Sequence, residues 1–77
     1  MKIEVVLFGM IADTIGKKKI EIDDCEDTKS LGEKLNQAYP KLSQQKFVMA
    51  VYKKVITANT QLKNGDIVAL LPPFAGG

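Results

Sequence analysis

Two stretches near opposite ends of the chain constrain its fold more than any other feature. KIEVVLFG (2–9) sets Ile3, Val5 and Leu7 against Glu4, Val6 and Phe8. DIVALLPP (66–73) sets Ile67, Ala69 and Leu71 against Val68 and Leu70. Alternation with a period of two marks a β-strand. A strand that is apolar on both faces belongs inside a sheet, because an edge or one-sided strand turns a face to water. The two strands are therefore expected side by side at the centre of one sheet. The direction of the chain makes them parallel, and a parallel pair needs a long crossover, which residues 10–65 supply.

Within that crossover, MIADTIG (10–16) breaks the alternation and ends at Gly16, so it reads as the long loop of a hairpin. KKKIEIDD (17–24) is a one-sided strand, with Lys18, Ile20 and Ile22 against Lys19, Glu21 and Asp23. In DCEDTKSLGEKLNQAYP (24–40) the period changes: Leu31, Leu35 and Ala38 or Tyr39 recur at helical spacing. Thr28 or Ser30 is expected to cap this helix, and Ser30 with Glu33 fits a capping box. Pro40 ends it by pushing Tyr39 toward extended geometry. Gly32, unfavourable inside a helix, is read as allowing a close approach to the sheet. KFVMAVY (46–52) is a third strand, short extended pieces surround KVIT (54–57), and Asn64-Gly65 forms a turn.

The order β-β-α-β-(β)-β gives an α+β fold with one main helix across a mixed sheet. This is the β-grasp arrangement, as in ubiquitin. It assigns residues 1–73 to the domain and 74–77 to a flexible tail. A single helix covers one face of the sheet and leaves the other partly open. Val6, Phe8 and Leu71 are placed on that open face, with Val55 nearby. A contiguous apolar group of this kind suggests a partner surface; a thinly covered core edge is the plainer reading.

Composition removes several classes of function. The chain has 77 residues, no histidine and a single cysteine, Cys25. Imidazole chemistry, internal disulfides and cysteine-based metal sites are thereby excluded. The net charge of +2 rests on eleven basic residues, all lysine. These are dispersed, without the arginine and stacking aromatics of a nucleic-acid surface. No apolar run approaches a membrane span, and MKIEVVLFG is a poor signal peptide, so the cytoplasm is the expected location. Cys25 lies in DDCED, where neighbouring carboxylates are expected to raise its pKa and suppress the thiolate.

The remaining feature is LLPPFAGG (70–77). Pro72 and Pro73 stiffen the base of an arm formed by Phe74, Ala75, Gly76 and Gly77. Fully extended, those four residues reach about 13 Å. Glycines lack Cβ atoms and enter channels too narrow for other residues. Such an arm delivers a terminal carboxylate into another protein. A carboxylate must be activated before a nucleophile can attack it, most simply as an acyl-adenylate. The chain has no phosphate-binding glycine loop, so no bound cofactor is expected and the ATP chemistry falls to a partner enzyme.

LKNGDIVALLPPFAGG (62–77) resembles the C-terminal signature of the small, sulfur-carrying subunit of molybdopterin synthase. The order of elements extends this likeness over nearly the whole chain. The carrier of thiazole synthesis shares the fold and the glycines but usually lacks Pro-Pro. The resemblance implies that an ATP-dependent activating enzyme adenylates the carboxylate of Gly77 and that a sulfur donor converts it to a thiocarboxylate. The arm would then enter the large subunit, in a heterotetramer, and pass sulfur to a cyclic pyranopterin monophosphate. Catalytic residues would lie on the large subunit, so the chain is no enzyme alone. Phe8, Val55, Leu71, Pro72 and Pro73 would contact that partner. Two departures stand out: MIAD (10–13) replaces a loop that commonly carries arginine, and Tyr52 stands where asparagine is usual. The same arm would also serve a carrier for thiazole or another sulfur pathway, or a ubiquitin-like modifier conjugated to lysines.

Overall fold

The computed structural model describes residues 2–73. Phe74, Ala75, Gly76 and Gly77 lie outside the described residues. The elements are β1 (Lys2–Leu7), α1 (Gly9–Ile15), β2 (Lys19–Asp23), α2 (Thr28–Ala38), a 3-10 turn (Pro40–Gln44), β3 (Val48–Val51), β4 (Lys54–Val55) and β5 (Ile67–Leu71). The strands form one sheet in the order β2-β1-β5-β3-β4. β1 and β5 run parallel, with Val5 opposite Val68 and Leu7 opposite Leu70. The other pairings are antiparallel. The two strands that are apolar on both faces thus sit inside the sheet, in the β-grasp order.

One face of the sheet carries the core. Ile3, Val5, Val68 and Leu70 are fully buried against Leu31 and Leu35 of α2. Burying each such side chain contributes about 1.5–3 kcal/mol. A domain this small has little stability to spare, so each of these contacts is a sizeable share of it.

The start of α2 differs from the expected cap. Asp27, not Thr28 or Ser30, is the N-cap, and its Oδ1 accepts the Ser30 N–H at 2.8 Å. Thr28 is instead turned to the loop before β5, where its Oγ1 accepts the Thr60 N–H at 2.9 Å. Pro40 ends α2 as expected, and it also opens the 3-10 turn that buries Leu42. Gly32 does not serve a tight helix–sheet approach. A β-carbon there would meet Met49 Cε at 3.6 Å, an ordinary contact.

MIADTIG is a helix and not a loop. Ile11 and Ile15 stand four residues apart, so both turn toward the core, and Ile11 is buried. Gly16 closes the helix in the left-handed region, at φ +83°, where its N–H bonds Ala12 O at 2.7 Å. That is the αL cap glycine supplies most readily. The β1–β2 connection is therefore a packed element that covers one end of the core.

Candidate functional site

On the other face, the register aligns one row of side chains across the sheet. Lys19, Val6, Ala69, Ala50 and Val55 stand opposite one another in turn. Val55, placed near this face by the sequence, is thus in the same row as Val6, at the β4 edge and half exposed. Ile67 lies in the neighbouring row on one side, opposite Glu4. Leu71 lies in the neighbouring row on the other side, opposite Val48.

The centre of this face is concave. Small side chains (Ala50 and Ala69) make its floor, Phe8, Ile67 and Tyr52 rise beside them, and Val6, Lys53, Gly65 and Asp66 also line it. The groove holds about 400 Å³. Phe8, Ile67 and Tyr52 are exposed, at 45%, 53% and 67%. Three large apolar or aromatic side chains around one depression form a patch, which single exposed hydrophobics do not. Of the residues expected on the interface, Phe8 lines the groove, whereas Leu71 and Val55 flank it. Sequence reading missed Ala50 and Ile67 as members and singled out Tyr52 only as a departure from the family pattern. Ile67 was recoverable, since it shares the alternating face of Leu71.

The groove borders the C-terminal end of β5. The Phe8 N–H donates to Leu70 O at 3.2 Å, so Phe8 continues the ladder beside the end of β5. The next residue, Gly9, has φ +57° and lies against Pro72. Pro72 is half-buried and Pro73 is exposed. β5 thus ends at the border of the open face, where Pro72 and Pro73 follow it.

A polar clamp closes the opposite side of the groove. Tyr52 Oη donates to Asp66 Oδ1 at 2.6 Å, and Asp66 Oδ2 accepts the Lys63 N–H at 2.7 Å. The Tyr52 hydroxyl, with the Lys63 amide, holds the Asp66 carboxyl below the usual carboxylate range. The same bond, with some burial, pushes the Tyr52 phenol up. Tyr52 and Lys53 form the β3–β4 turn, with φ of 53° and 67°. Both lie in the left-handed region that a two-residue hairpin of this type demands. A bulky residue there is strained, and the hydrogen bond to the Asp66 carboxylate opposes that strain.

Cys25 is no part of this surface. It is fully buried, and burial is the largest cause of its raised pKa. Asp27 and Asp24 push the same way, while Lys34 opposes them. The acidic loop is therefore a secondary cause, not the main one expected. Among the described residues, no group of three or more potential ligand side chains is arranged to hold a metal ion. No described helix is long and apolar enough to cross a membrane.

Comparison with known proteins follows the same lines. The chain is 33% identical to the molybdopterin synthase sulfur carrier subunit of Mycobacterium tuberculosis, covering all of this chain and 99% of that one. It is 31% identical to the protein of the same name from Dictyostelium discoideum, over 96% of this chain and 94% of that one. A chain in the complex of subunits 1 and 2 of molybdopterin-converting factor from Helicobacter pylori superposes with a TM-score of 0.75. Its identity is 34%, with both chains covered in full. The ThiS family model matches residues 5–77, from within β1 to the final glycine. With relatives above 30% identity over at least 94% of their length and a family model spanning nearly every residue, the chain belongs to the ThiS family.

Proposed function

We propose that the chain is the sulfur-carrier subunit of a two-subunit molybdopterin synthase. One observation carries the reading: β5 leaves the centre of the sheet through Pro72 and Pro73 at the rim of an open apolar face. Relatives named for sulfur carriage, alike from end to end, support it.

In this reading Gly77 supplies the reacting group. Its carboxylate attacks the α-phosphorus of ATP on a separate activating enzyme, and pyrophosphate leaves. A sulfur donor then displaces AMP from the acyl-adenylate, giving a thiocarboxylate, a soft anionic nucleophile. The domain docks on the large subunit through Phe8, Val55 and Leu71. Phe74, Ala75 and Gly76 carry the sulfur inside, to a cyclic pyranopterin monophosphate. The narrow glycine end lets the partner close around the arm and exclude water. Substrate contacts and proton transfers fall to the large subunit, in a heterotetramer. The small subunit binds no cofactor of its own.

The test is reconstitution. Thiocarboxylated chain, large subunit and cyclic pyranopterin precursor are combined, and the dithiolene product is quantified. Product in proportion to thiocarboxylate consumed is the expected result. Failure with this precursor, but turnover with a thiazole-forming enzyme, would move the chain to the other sulfur pathway. Isopeptide conjugates to lysines in place of turnover would make it a protein modifier.

A further inference from the structure

We infer that Asp66 is a positioning residue for assembly: it fixes the Tyr52 ring as a preformed wall of the groove on which the large subunit seats. The inference rests on the docking role proposed above. It adds Asp66 to that role and gives Tyr52 a defined part in it.

Tyr52 combines two properties that seldom coincide. It is 67% exposed, yet its hydroxyl is bound at 2.6 Å to Asp66, which is only 8% exposed. Asp66 is itself anchored by the Lys63 amide at the turn that opens β5. An exposed aromatic would ordinarily sample several rotamers and lose that freedom on binding. Here the freedom is already lost. The left-handed backbone at Tyr52 sets the direction of the side chain. Asparagine or glycine would suit that turn with less strain.

The occupant follows from continuity. Phe8 lines the groove and also adjoins the end of β5, from which the arm departs beside Pro72. A protein that receives the arm must therefore stand over this face. The alanine floor between Phe8, Ile67 and Tyr52 admits an apolar side chain from that partner. Lys53 at the lining favours a carboxylate beside it.

The experiment is calorimetric titration of the full chain into the large subunit, with melting temperatures measured alongside. Y52N relieves the turn, so its melting temperature is expected to stay within a few degrees of wild type, while affinity falls about tenfold or more. Y52F keeps the ring but not its anchor, and is expected to lose about threefold. If Asp66 acts through Tyr52, D66N and Y52F will not add, and the double variant will bind no worse than the weaker single. Should Y52N fail to fold, Y52F and the cycle with D66N decide the matter. Binding of both Tyr52 variants within about twofold of wild type, or strict additivity with D66N, overturns the inference and leaves the docking role standing. No binding by the wild-type chain overturns both.

Discussion

Gly9 and Pro72 lie so close that a β-carbon on the glycine would stand 3.1 Å from Pro72 Cγ. The contact ties the entry of α1 to Pro72, just past the end of β5. Gly9 also has φ +57°, where side chains with a β-carbon are strained. Gly9→Ala is expected to destabilise the domain by about 1–2 kcal/mol and to shift Pro72. Urea unfolding measures the first effect and titration with the large subunit the second. An unchanged midpoint and affinity would separate the arm from α1.

Gly32→Ala is expected to act the opposite way. The helix gains about 0.5–1 kcal/mol from the lost glycine flexibility, and the new methyl meets only Met49 Cε at 3.6 Å. A higher urea midpoint with an unchanged m-value is the expected outcome. A lower midpoint would mean that α2 sits closer to the sheet than this contact allows.

Phe8→Asp tests the open face. Phe8 is the N-cap of α1 and makes no side-chain cap bond, a position aspartate favours. Folding is therefore expected to survive, while binding to the large subunit weakens by about tenfold or more. Leu71→Asp is the poorer test. Leu71 is half-buried opposite Val48, so its loss costs stability as well. Unchanged affinity in folded Phe8→Asp would remove Phe8 from the docking surface.

The Tyr52–Asp66 bond predicts a pH window. Asp66 has a lowered folded pKa, so its contribution is present above the unfolded carboxylate value, about 3.9, and fades as pH falls through the folded value. Tyr52 has a raised folded pKa, so its share holds below the unfolded phenol value, about 10, and is lost as pH rises through the folded one. Tyr52→Phe is expected to flatten both flanks of the stability profile. Chemical denaturation across pH checks this, and parallel profiles for the two proteins would count against the clamp.

The central strands were legible because burial on both faces writes itself as unbroken apolar alternation, in Val5–Val6–Leu7 as in Val68–Ala69–Leu70. Their parallel pairing at the centre of the sheet followed from that. The short helix α1 was not legible by the same rule. It begins without a side-chain cap, and its only periodic pair is Ile11 with Ile15. Gly16 was read as a turn when it is the helix's αL stop. The cap of α2, Asp27, lies one residue before Thr28 and three before Ser30: all three residues suit the position, and the side chain of Thr28 is engaged with Asn59 and Thr60 instead. The clamp was hidden because Tyr52 and Asp66 come together only when β3 pairs with β5. Sequence spacing carries no trace of such a contact.

The central claim, that sulfur is carried on the C-terminal carboxylate of Gly77, is tested most directly by intact-mass measurement after incubation with activating enzyme, ATP and a sulfide source. Three chains are compared: wild type, Cys25→Ala, and a chain extended past Gly77 by an uncleaved alanine. The account predicts one oxygen-to-sulfur exchange in the first two and none in the third. It also predicts near-equal melting temperatures for the first and third. An exchange in the extended chain, or its loss in folded Cys25→Ala, would contradict the account.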